Sequence, residues 1–161
     1  MDPIPADIVE GTWEMVSAIS EQQAQELAEE MHEEQPALMS YLLVVDDDML
    51  NQEERELLFY IGTFIWQIMS QGSQLLPIIT EESLEAAEEK NIALVESLQD
   101  EDEVGYMEAI MGIIDSYGQP DVLRYVVEVL MDDTDDDVVI RAESVGAMFI
   151  DLKTVIDCFD V

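Results

Sequence analysis

Basic residues are the scarcest resource in this chain. Five lysines and arginines stand against 39 aspartates and glutamates, which leaves the 161 residues at a formal net charge of -34. That field repels duplex phosphates, so direct nucleic-acid binding is not expected. It repels anionic lipid surfaces for the same reason. It draws in basic proteins, basic peptides and metal cations. Cysteine is almost as rare. Cys158 stands alone, so no intramolecular disulfide can form, and a reducing, cytoplasmic setting is the expectation. The opening MDPIPADIVE has neither a basic stretch nor a long apolar run, so it does not read as a secretory signal. Long apolar runs are missing too. The charge-free stretch Leu57–Leu76 is broken by Gln67, Ser70, Gln71, Gly72, Ser73 and Gln74, which predicts a buried helix rather than a membrane span.

Apolar residues nevertheless make up 48% of the chain, enough for a core, and this argues against disorder. Their spacing is helical throughout, and no segment sustains a period of two. Val138, Ala142, Val145, Phe149, Leu152, Ile156 and Phe159 form one stripe. Leu84, Ala87, Asn91, Leu94 and Leu98 form another, with Asn91 as its polar interruption, and Val104, Met107, Met111 and Ile114 a third. Segment 57–69 is apolar nearly all round and is expected to be the central, most buried helix. Ser20 with Gln23 and Asn51 with Glu54 have the capping-box spacing. Thr80 precedes two acids as an N-cap should. Pro36 and Pro120 suit first helical positions, and Gly72 and Gly118 suit helix ends. The predicted helices are 6–18, 20–34, 36–46, 52–71, 81–99, 101–117, 120–132 and 136–158.

A phrase recurs. QPALMSYLLVVDDD at 35–48 and QPDVLRYVVEVLMDD at 119–133 share Gln-Pro, a following Tyr, aliphatics and a closing block of aspartates. The alignment pairs Gln35 with Gln119, Tyr41 with Tyr125 and Gly62 with Gly146. It implies one domain, 1–161, containing an internal duplication of about 20–75 and 103–160. The stretch DVLRYVVEVLMDDTDDDVVIRAESVGAMFI resembles the HEAT family of helical repeats, with Val138, Arg141 and Ala142 at the places of its Val-x-x-Arg-Ala pattern. The resemblance implies antiparallel helices stacked as an interaction scaffold and implies no catalytic activity. The expected fold is therefore all-α, with seven or eight antiparallel helices, either a HEAT-like α-α superhelix or a compact multi-helix bundle.

The acidic turns are the candidate interaction surface: Asp46, Asp47 and Asp48; Asp100, Glu101 and Asp102; and Asp132, Asp133, Asp135, Asp136 and Asp137. Two or three acids per turn compensate a following helix start. Five acids in six positions exceed that need. Read as a calcium loop, Asp132, Asp136 and Glu143 fall at ligand places, yet Asp137 stands where the sharp turn needs Gly. The Asp-Asp-x-x-Asp reading of the same stretch suggests the magnesium site of isoprenoid synthases, but the chain is too short and too poor in base for them. Glu29-x-x-His32 is half of a di-iron motif, and His32 is the only histidine. Glu82, Glu85 and Glu88 have the spacing of a magnesium-dependent all-α nucleotide pyrophosphohydrolase, though three of the five bases have an acid one turn away (Arg124 with Glu128, Arg141 with Asp137, Lys153 with Asp157) and little is left to hold a triphosphate. No Gly-x-Ser-x-Gly and no phosphate-cradling glycine loop occurs. Met107, Met111, Met131 and Met148 read as core filler, with a Met-lined groove for a partner helix as the alternative.

The sequence thus predicts a non-enzymatic acidic interaction module for a basic protein or peptide, a DNA mimic being one form of it, with no cofactor. Two alternatives stand beside this: charge that serves only solubility or life in high salt, and the magnesium-dependent hydrolase.

Overall fold

The computed structural model describes residues 2–72, 75–98, 101–131 and 142–160. Among them lie eight helices: α1 (Ala6–Ser17), α2 (Glu21–Glu34), α3 (Pro36–Val44), α4 (Gln52–Met69), α5 (Glu81–Glu96), α6 (Glu103–Ser116), α7 (Pro120–Met131) and α8 (Ala142–Phe159). The fold is all-α. No helix among the described residues is long and apolar enough to cross a membrane.

Local chemistry sets the boundaries. The boxes at Ser20/Gln23 and Asn51/Glu54 both form, each cap side chain accepting from the third helical N–H while the third side chain accepts from the cap N–H. Thr80 forms a third box with Ser83. Asp102 caps α6 by accepting from the Gly105 N–H at 2.7 Å. Pro36 and Pro120 open α3 and α7, where a missing N–H costs nothing.

α4 and α8 pack against each other at the centre, α3 and α7 flank them, and α1 and α5 cover the outside of α4 and α8. α4 is buried through Ile61, Phe64, Ile65, Ile68 and Met69, as its composition predicts. It shares the centre with α8, which is a correction to the expectation of a single most buried helix. α8 buries not one stripe but nearly its whole circumference, including Asp151, Lys153 and Thr154 beside Leu152, Val155 and Ile156. α5, α7 and α4 all pack on it, so no face is left for water.

The first and last parts of the chain meet. α1 packs on α7, and the segment before α1 is bonded to the residue before α7. The helices therefore close on themselves, whereas an open solenoid's first unit touches only its neighbour. Of the two architectures left open by the sequence, this is the compact bundle.

The repeated glutamines explain the closure. Gln35 Nε2 donates to the Pro77 carbonyl at 2.9 Å, and its Oε1 accepts from the Ile79 N–H at 2.9 Å. Gln119 does the same to the other end: Nε2 donates to the Asp2 carbonyl at 3.1 Å, and Oε1 accepts from the Ile4 N–H at 2.9 Å. Both glutamines are buried, as are Ile4 and Ile79. Each Gln thus holds, like an added strand, the extended segment that leads into α5 or α1. The repeated tyrosines also take matched places. Tyr125 of α7 lies against Trp13 of α1 and Phe64 of α4, at ring separations of 5.4 and 5.8 Å. Tyr41 of α3 lies against Glu88 of α5 and Asp151 of α8.

The matched glycines differ. A Cβ at Gly62 would come within 2.5 Å of the buried Leu42 side chain, so α3 and α4 approach closely only because Gly62 has none. A Cβ at Gly146 would meet nothing within 4 Å. Gly62→Ala is expected to lower the unfolding free energy by about 1–3 kcal/mol through overpacking, and Gly146→Ala to leave it unchanged or raise it by up to about 1 kcal/mol through helix propensity. Urea unfolding of both variants checks the contrast; equal losses would refute it. Gln119→Ala and Gln35→Ala should each cost about 1–3 kcal/mol in the same assay, because each strands a buried N–H and takes the donor from a part-buried carbonyl.

Candidate functional site

The predicted acidic surface divides three ways. Asp47 and Asp48 are exposed on the turn after α3, and Glu101 is exposed before α6. Asp102 is exposed but already employed as the α6 cap. Asp46 is half-buried and faces inward, with a left-handed backbone (φ 53°) that Asp tolerates better than most residues. Asp100, Asp132, Asp133, Asp135, Asp136 and Asp137 lie outside the described residues, as does the Glu143 side chain, so the calcium reading of Asp132, Asp136 and Glu143 falls there too. Among the described residues no group of three or more His, Cys, Asp or Glu side chains is arranged to hold a metal ion. Glu82 and Glu85 are exposed on α5, Glu88 is half-buried, and His32 is exposed near the end of α2. Cys158 is buried, and burial pushes its thiol up, away from nucleophilic character.

Of two buried polar clusters, only the Lys153–Asp157 pair of the first was read from the sequence. In the first, Lys153 Nζ donates to Asn91 Oδ1 at 2.8 Å and to Asp157 Oδ2 at 3.0 Å. Asn91 Nδ2 donates to Thr154 Oγ1 and Asp157 Oδ2, both at 3.0 Å, and Tyr117 OH donates to Asp157 Oδ1. The Lys153 ammonium also sits 4.8 Å from the Tyr117 ring centroid. The Lys153 and Asp157 charges balance, so this cluster locks α5, α8 and the C-terminal end of α6 together. Asn91 is the key to it: a polar residue in an apolar stripe signals a buried partner.

The second cluster is unbalanced. Asp151 is buried on α8 with Asp46, Glu88 and Tyr41 as neighbours. Its Oδ1 accepts from Tyr41 OH at 3.4 Å, and its Oδ2 has no partner. Burial first, and then the Asp46 carboxylate, push the Asp151 carboxyl up to about 10. Burial likewise raises Glu88. At neutral pH Asp151 therefore keeps its proton, and the Asp46 carboxylate beside it is there to accept it. The cluster can store a proton; nothing in it activates a nucleophile.

Among the described residues, apolar depressions open at the surface in two regions. One, of about 490 Å3, lies between α1, α2 and α4 and is lined by Val16, Leu27, Leu43, Phe59 and Tyr60. Arg55 lines it with its Nη1 donating to the Leu42 carbonyl at 3.0 Å and its Nη2 unpartnered. Glu21 and Glu56 share the lining, so the cleft carries no net positive field. The other runs over α6 and α7. Here Val104, Met107 and Met111 are 67%, 38% and 46% exposed, which corrects the reading of Met107 and Met111 as core. Among the described residues α6 packs mainly on α7, through Ile110 and Ile114, and no helix covers its Val104, Met107 and Met111 face. Met148 is buried as expected, and Met131 is half-buried at the groove. Glu108, Asp115 and Glu128 border the apolar face. Arg124, expected to pair with Glu128, instead bonds Asp121 at 3.0 Å and reaches Asp115 at 3.9 Å.

Comparison with protein-family models, with curated proteins and with solved structures finds no match to this chain.

Because the Asp151 carboxyl is raised in the fold above its unfolded value, its contribution to stability is complete below about pH 4 and is lost as pH rises to about 10. Asp151→Asn, which keeps the shape and the donor of the protonated form, should raise stability at pH 8 by at least about 1 kcal/mol and flatten its fall between pH 5 and pH 9. Denaturant titrations across that range give the slope; an unchanged slope would place the proton elsewhere.

Proposed function

We propose that the chain is a non-enzymatic, strongly acidic interaction module that binds a basic protein or peptide. The observation that carries this reading is how three of the five bases are used. Arg55 is committed to the Leu42 carbonyl, Arg124 to Asp121 and Asp115, and Lys153 to Asn91 and Asp157. They serve the fold and so do little to neutralise the outward field, which the formal charge of -34 makes strongly negative. Such a field speeds encounter with a cationic surface and weakens with salt. The exposed Asp47, Asp48 and Glu101 belong to that field. A domain with one buried cysteine and no disulfide suits a reducing cytoplasm. The matched use of Gln35 and Gln119 supports the further reading that about 20–75 and 103–160 are an internal duplication within a single domain.

A salt-step elution tests the function. With the chain immobilised in about 50 mM KCl and washed to about 500 mM, a discrete basic protein is expected to elute and, once purified, to rebind in fixed stoichiometry with an affinity that falls as salt rises. If nothing binds stoichiometrically, while molar KCl alone strongly stabilises the fold, the acidity is an adaptation to salt and the proposal is wrong.

A further inference from the structure

The α6/α7 surface joins two features that seldom occur together on a solvated helix. One is apolar and adaptable. Val104, Met107 and Met111 leave an exposed strip along α6, which continues past Ile114 and Val127 to Met131 on α7. The adjoining depressions along it measure about 600 and 440 Å3. The other is a border of one sign. Glu108 and Asp115 stand on α6 and Glu128 on α7, and the one base present, Arg124, is already bonded to Asp121 and Asp115.

We infer that this groove is the docking site for a basic amphipathic helix. Methionine side chains are unbranched and polarisable, so they reshape around different apolar anchors at little cost. A helix laid along such a strip buries its apolar stripe on the methionines and sets its lysines and arginines against the bordering carboxylates. Charge complementarity selects this occupant over the alternatives. A second copy of the chain would bring another -34 to the same face, and an acidic or neutral helix would leave the border unpaired. The inference rests on the acidic-module reading and names its surface and its class of partner.

The test uses the intact chain and a labelled leucine/lysine peptide of about 18 residues, roughly five helical turns, with a scrambled peptide of equal charge beside it. Binding is measured by fluorescence anisotropy at about 50 mM KCl, a Debye length of roughly 14 Å. Met107→Glu with Met111→Glu is the diagnostic variant. Both positions are exposed, so the fold should stand, and circular dichroism confirms it. The added carboxylates would strengthen any binding driven by charge alone. Loss of two apolar anchors should instead weaken binding at least about tenfold, and the scrambled peptide should bind the wild type comparably poorly. Met15→Glu, an exposed apolar position on α1 outside the groove, should bind as the wild type or slightly more tightly. Undiminished binding by the double variant, or equal binding of the scrambled peptide, overturns the groove and leaves the acidic-module reading in place. Absence of peptide binding to the wild type at low salt overturns both. Sedimentation that finds a wild-type dimer abolished by the double variant overturns the inference in favour of self-association.

Discussion

Two buried amides hold this fold in its closed form. An amide side chain carries both a donor and an acceptor, so one Gln can satisfy a carbonyl and an N–H two residues apart on an extended segment, as a neighbouring strand would. Gln35 does this for Pro77 and Ile79, and Gln119 for Asp2 and Ile4. These segments have no secondary structure of their own, and the burial of Ile4 and Ile79 would strand those backbone groups without such a partner. What they lead into matters more. α1 and α5 begin directly after the held residues and cover α4 and α8, so the direction of both outer helices depends on the two glutamines. Neither hydrogen bond is strong by itself. Their weight comes from what would be left unpaired, since a buried polar group without a partner costs more than a formed bond gains.

Within that matched frame the two halves have different interiors. Around Tyr125 the contacts are aromatic: Trp13 lies edge-on to Phe64 and to Tyr60, at 5.1 and 5.5 Å, geometry that adds to the gain from burial alone. Around Tyr41 the contacts are carboxyls, with Asp151, Glu88 and Asp46 crowded together and no base among them. The frame is fixed by backbone bonds, so it tolerates both. The aromatic side contributes stability, whereas the carboxyl side spends some of it, because two close carboxylates cannot both ionise out of water. Lys153 follows Asp151 by two residues, which turns it to the far side of α8, toward Asn91 and Asp157. The separation of one balanced and one unbalanced cluster on a single helix makes α8 the most pH-sensitive part of the core.

The helices themselves were legible because their signals are local. Ser20, Asn51 and Thr80 cap from within four residues, and Pro36 and Pro120 act on their own φ. The Gln-Pro repeat was visible as a pattern, but the proline drew attention as a helix start, and the task of the glutamine lies far away in sequence. Periodicity reports which residues share a face and not which helix covers that face. That is why Met107 and Met111 read as core: their spacing is that of a buried stripe, and only the peripheral place of α6 leaves them in water. On α8 periodicity marked one stripe, and only the packing of α5, α7 and α4 around the helix buries Asp151 and Lys153 as well. Arg124 chose Asp121 over Glu128 for a related reason, since Asp115 of α6 lies on the Asp121 side and a position between two acids outbids one.

The charge and the fold oppose each other, and the structure shows how the opposition is managed. Self-repulsion at -34 favours expansion. Burial of the α4 and α8 faces favours compaction and, with the core nearly continuous from Val9 to Phe159, it prevails. Acids at helix starts, such as Glu53, Glu81 and Asp121, turn part of the repulsive charge into attraction for the helix dipole. That device has a limit of about one turn per helix, and five bases cannot supply a counter-charge to 39 acids. A cation that neutralised part of that charge would therefore relieve self-repulsion in the chain as well as form contacts. Binding and stability are then linked through one field: whatever neutralises it, whether salt, protons or a basic helix, also favours the folded state.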